Sequence, residues 1–139
     1  MFSLLLFTLL SIDLDAVKAE PILEKRAQRA LDCAQERLTE ARKHYEAGAD
    51  AAFAKALRQT AEAAEYSLTS LEEIGKHPSR NVRHYKPAEM RVRELLRRIT
   101  TLRNDASIEQ RPAVVECEKR LTAVHETLLE GVMSRKPRN

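Results

Sequence analysis

Nine cationic side chains crowd into residues 76–103: Lys76, Arg80, Arg83, Lys86, Arg91, Arg93, Arg97, Arg98 and Arg103. Glu89 and Glu94 are the only acids among them, so the stretch carries +7 in a chain whose formal total is +3. An arginine fork binds both oxygens of a phosphate or carboxylate at once. The stretch is therefore a candidate anion-binding surface, with Arg80, Arg83, Lys86, Arg91, Arg97 and Arg98 as its contact residues. A second reading is open. Residues 48–75 and 104–132 each sum to −3, so the cations can be neutralised inside the fold. Glu89–Arg93 and Glu94–Arg98 have i,i+4 spacing and can pair on a helix surface. Arg91, Arg97 and Arg103 then lack local partners.

Other chemistry is excluded by spacing. A di-iron bundle requires Glu three residues before His, and Ala41, Ile74, Asn81 and Thr122 hold those positions before the four histidines. Cys33 and Cys117 have neither the spacing nor the following His of a covalent haem site. Three glycines supply no phosphate loop. The sequence thus predicts no enzyme, cofactor or metal site. His77 and His84, beside Tyr85, leave a weaker option: a ligand-binding bundle using that histidine pair. His125 falls at the rim of an apolar stripe, and His44 at the solvent side of a helix end.

The elements that must position these residues are helical. Gly and Pro are scarce and Trp is absent, and Ala, Leu, Glu, Arg and Lys dominate, as in long helices. Leu23, Ala27, Ala30, Leu31, Ala34, Leu38, Ala41 and Tyr45 recur at steps of three and four. They predict a helix over 21–47, with Pro21 at its first position and Gly48 as its stop. A second helix is expected over 50–75, with Asp50 as N-cap and Phe53, Leu57, Ala61, Ala64, Leu68, Leu71 and Ile74 inside. A third is expected near 87–104, opened by Pro87 after a loop at 76–87, with Val92, Leu95, Leu96, Ile99 and Leu102 buried. Ser107 and Gln110 have capping-box spacing, and a fourth helix is expected from Pro112 to about 132. Short links imply an all-α, antiparallel up-down-up-down four-helix bundle over 20–132, followed by a basic disordered tail at 133–139.

Residues 1–19 differ from the rest. Phe2–Ile12 is an apolar run too short to span a bilayer but suited to a signal peptide, and Val17-Lys18-Ala19 places a cleavage site before Glu20. No Lys or Arg precedes the run, and Asp13 and Asp15 follow it. The expectation is an exported, periplasmic or secreted protein without a transmembrane segment in its mature form. In an oxidising compartment Cys33 and Cys117 are candidates for a disulfide. The first and fourth helices are taken as neighbours, and the two cysteines stand about 18 and 22 Å from the same end of the bundle.

These observations predict a small exported interaction or structural protein whose basic stretch contacts anionic lipid, acidic polysaccharide or an acidic protein surface. Export makes nucleic acid an unlikely partner. The alternative is a cytosolic nucleic-acid-associated helical protein, but Tyr85 is the only aromatic in the basic stretch available to stack a base.

Overall fold

The structure, a computed structural model, describes residues 13–74 and 82–133. The apolar run before Asp13, the basic-loop residues Lys76, His77 and Arg80, and the tail after Met133 lie outside the described residues. Among the described residues five helices follow in order: α1 (Leu14–Lys18), α2 (Leu23–Glu46), α3 (Asp50–Ile74), α4 (Val82–Asp105) and α5 (Arg111–Met133). The protein is an all-α bundle in which consecutive long helices run antiparallel.

The turns show how the sequence sets these boundaries. At the end of α2, Gly48 adopts φ +70°. The Gly48 N–H donates to the Tyr45 carbonyl at 3.1 Å and the Ala49 N–H to the His44 carbonyl at 3.0 Å. This pair of bonds is a Schellman motif, which needs a left-handed residue at the position Gly48 holds. Before α5, the Ser107 N–H donates to Gln110 Oε1 at 3.3 Å, and the Gln110 N–H donates to Ser107 Oγ at 3.3 Å. The expected capping box is formed. Pro112 is accommodated in the first turn of α5, where no intrahelical partner for its nitrogen is required.

Three boundaries differ from expectation. The N-cap of α2 is Ile22, so Pro21 stands just outside the helix. Glu20 organises that entry instead, accepting from Arg26 Nε through its carbonyl at 2.8 Å and pairing with Arg29 at 3.0 Å. Asp50 is the first residue of α3 rather than its cap, and its carboxylate accepts from Gln110 Nε2 at 2.9 Å. Helix α4 begins at Val82, five residues before Pro87, which lies inside it. The extra turn is held by burial: Tyr85 is 1 % exposed and Ala88 is 4 % exposed, both on the stripe of Val92.

The order of helices around the bundle follows from their contacts. Helix α2 packs on α3 and α4, and α5 packs on α3 and α4, while α3 and α4 meet only slightly. Going round, the sequence is α2, α3, α5, α4. The α2–α3 and α4–α5 faces are antiparallel hairpins. The other two faces are parallel, since Arg91 reaches Gln28, Asp32 and Gln35 while Arg98 reaches Thr39. Arg120 pairs with Glu65 on the second parallel face.

Helix α3 is buried on two sides because it faces both α2 and α5. Thr60, Ser67 and Ser70 are enclosed there along with its alanines. Each hydroxyl donates to a carbonyl three or four residues earlier, to Ala56, Ala64 and Tyr66 respectively, so none is buried without a partner.

The helix order corrects the cysteine expectation. Cys33 and Cys117 are both buried and both present as thiols. Helices α2 and α5 are not the neighbours that a bridge required; they stand diagonally, and α3 packs against both. Cys33 lines a cleft with Leu14, Lys18 and Gln59, whereas Cys117 lines one with Ala54, Arg58 and Arg120.

Candidate anion-binding surface on α4

Helix α4 carries every described member of the basic stretch, and the fold sorts them into two groups. The first group is neutralised. Arg91 donates to the Gln28 carbonyl at 3.2 Å and to Gln35 Oε1 at 2.9 Å, and it pairs with Asp32. Arg93 holds Glu89 through both its Nε, at 2.9 Å, and its Nη2, at 2.6 Å. Arg97 pairs with Glu94, so Glu94 takes the i+3 rather than the expected i+4 partner. Arg103 pairs with Glu118 on α5, which also accepts from Thr100 at 3.2 Å. The partnerless positions assigned to Arg91, Arg97 and Arg103 are thus filled. Asp32 and Glu118 lie far away in sequence, which is why local spacing does not reveal them.

The second group makes no ion pair among the described residues: Arg83, Lys86 and Arg98. Arg97 holds the Glu94 carboxyl down, and Arg98 is near enough to add to that effect. Arg83 and Lys86 are exposed near the start of α4, and Arg98 is half-buried. Among the described residues Arg98 donates one hydrogen bond, to Thr39 Oγ1 at 3.2 Å. A guanidinium has five N–H donors, so Arg98 retains unused ones. It lies in an open cleft of ≈ 280 Å³ between α2 and α4, beside Arg42 and Arg97 and over Leu38 and Leu102. Met90, 54 % exposed, stands on the same outer face of α4.

Two expected features change character. Tyr85 lies in a helix and is enclosed by apolar neighbours that include Ala27, Leu31 and Leu71. Burial, with Glu72 nearby, pushes its phenol up, and it offers no face to a nucleobase. His84 lines a groove with Glu24, Gln28 and Arg91, while His77 lies outside the described residues. No group of three metal-ligating side chains occurs among the described residues, and no described helix is long and apolar enough to cross a membrane.

One polar cluster was not foreseen. Glu89 is 4 % exposed, and His125 Nε2 lies 2.9 Å from its Oε1. An ionised carboxylate only accepts, so Nε2 carries the proton in this bond. The hydrogen bonds from Arg93 hold the Glu89 carboxyl below its ordinary value of 4.5 against the opposing effect of burial, and His125 lowers it further. A signal was present: Glu89 falls four residues after Tyr85 and three before Val92, on the apolar stripe.

Comparison of the chain with protein-family models, curated proteins and solved structures returns no match.

Proposed function

We propose that the chain is a non-catalytic interaction protein that holds the outer face of α4 against an anionic phospholipid surface outside the cytoplasm. The observation that carries this reading is the set Arg83, Lys86 and Arg98, which make no ion pair among the described residues while the other α4 arginines do. Exposed Met90 adds apolar contact among these cations, a combination suited to headgroups above acyl chains. The enclosure of Tyr85 weighs against single-stranded nucleic acid. Export rests on the apolar run before Asp13 and on Val17-Lys18-Ala19.

Near an anionic membrane each exposed basic residue contributes about 1 kcal/mol. Reversing Arg83, Lys86 and Arg98 to Glu should therefore weaken partition onto phosphatidylglycerol vesicles by at least about a hundredfold, with helicity retained. Wild-type binding should fall as salt is raised. Heparin and polyglutamate arms separate the lipid from polysaccharide and acidic-protein partners. Absence of wild-type binding at low salt, or binding indifferent to the triple reversal, refutes the proposal.

A further inference from the structure

The solvent side of α5 carries a second pattern. Val115, Thr122 and Leu129 follow one another at seven-residue intervals, which places them in one line along α5, and Ile108 lies in the turn that precedes the helix. Ile108 is 83 % exposed, Val115 45 % and Leu129 37 %, and Met133, four residues after Leu129, is 71 % exposed. The α5 residues that face the bundle are others: Val114, Cys117, Leu121, Val124, Leu128 and Gly131. Lys119 and Glu126 are exposed within the same outer stripe. Neither has an ion pair among the described residues, whereas Glu118, Arg120 and His125 of the same helix pair with α4 and α3.

We propose that this face pairs with the same face of a second copy of the chain, antiparallel, about a two-fold axis at Thr122. The stripe is complementary to itself only in that sense. Reversing it about Thr122 sets Val115 against Leu129 of the second copy and Leu129 against its Val115. The same operation brings Lys119 within one residue of Glu126 of the second copy, and Glu126 within one residue of its Lys119. Two apolar contacts and two opposite-charge contacts form together, as an isologous interface requires. A parallel pair would set Lys119 against Lys119 and Glu126 against Glu126. A single helix pair lies at the low end of specific interface areas, so the dimer is concentration-dependent rather than obligate.

Sedimentation equilibrium of the full chain tests this. The wild type should show a monomer–dimer equilibrium. Lys119→Glu alone and Glu126→Lys alone should each raise the dissociation constant at least about tenfold, since like charges opposite one another repel. Mixing the two variants in equal amounts should restore association, because each then meets its opposite. Both positions are exposed, and circular dichroism should report unchanged helicity. A wild type monomeric up to about 0.5 mM, well beyond micromolar affinity, overturns the proposal. So do single variants that associate like the wild type, or a mixture that stays monomeric.

Discussion

Replacing Glu89 by Ala tests whether the cluster between α4 and α5 stabilises the bundle. The Glu89 side chain is 5 % exposed and accepts from Arg93 and His125. Hydrogen bonds to a charged group contribute about 1.5–3 kcal/mol each, so the gross loss would be several kcal/mol. Two effects reduce it. The Arg93 side chain is 63 % exposed, so its freed guanidinium is solvated and its part of the interaction is screened. Removing Glu89 also removes the cost of burying a carboxylate. His125, only 18 % exposed, loses its partner and cannot recover fully in water. The expected net loss is about 1–3 kcal/mol, or roughly 4–12 °C in Tm for a domain of this size. Glu89→Gln separates charge from shape. Because the folded Glu89 carboxyl is held below 4.5, its contribution is present above about pH 4.5 and is lost as pH falls through the folded value. The gap between wild type and Glu89→Gln should thus be full at pH 7 and shrink toward pH 3. Thermal unfolding followed by circular dichroism at several pH values reads both effects. Equal Tm for wild type and Glu89→Ala at pH 7, or a gap that does not narrow in acid, refutes the reasoning.

Gly48→Ala should cost about 1–2 kcal/mol from backbone strain alone, because φ is +70° and nothing lies within 4 Å of an added Cβ; chemical denaturation measures it, and Gly48→Asn should lose less. Burial pushes the Cys117 thiol up to about 12, so its thiolate is roughly one part in ten thousand at pH 8. Native protein should then modify at Cys117 very slowly, and unreduced protein, once unfolded, should titrate two thiols per chain, as buried thiols require. Chain 20–139 should remain folded with a Tm within a few degrees of chain 13–139. Val17 is the one buried residue of α1, and its burial contributes about 2 kcal/mol, comparable with or below the cost of ordering five residues at about 1–2 kcal/mol each. An unfolded 20–139 fragment would show that α1 is indispensable and would count against cleavage before Glu20.

How far the fold could be read from sequence depends on which interactions were local. The apolar stripes of α2 and α5, the Gly48 stop and the Ser107–Gln110 box depend on residues within a few positions of one another, and periodicity exposes them. The start of α4 was missed because Pro87 is a strong local signal for a helix opening. What outweighs it is tertiary: Tyr85 and Ala88 pack against Ala27, Leu31 and Leu71. The disulfide failed for a related reason. Heights along two helices can be counted from sequence, but which helices adjoin is a tertiary property that no short-range rule specifies, and α3 packs against both α2 and α5. Of the basic residues, the sequence reveals the charge and not its partners, since Asp32 is 59 residues from Arg91.

The helix order also gives Arg91 of α4 and Arg120 of α5 a common role. Antiparallel neighbours oppose their dipoles, whereas parallel neighbours align them and repel weakly. The bundle has two parallel faces, α2 with α4 and α3 with α5. Both are crossed by arginine pairs: Arg91 to Asp32 and Arg120 to Glu65. The α2–α3 hairpin instead closes on alanines, with Ala30, Ala34, Ala61 and Ala64 at 0 % exposure. Small side chains allow close packing there, and the short Gly48 turn sets the register. No such turn fixes α2 against α4, so Arg91, anchored at three points on α2, does so. Arg98 reaches α2 about two turns before the end of that helix with a bond to Thr39, on a face open enough to hold the ≈ 280 Å³ cleft. The α4 cations that bridge to a neighbouring helix, Arg91 and Arg103, are neutralised by acids there, as Arg93 and Arg97 are by Glu89 and Glu94 of α4 itself.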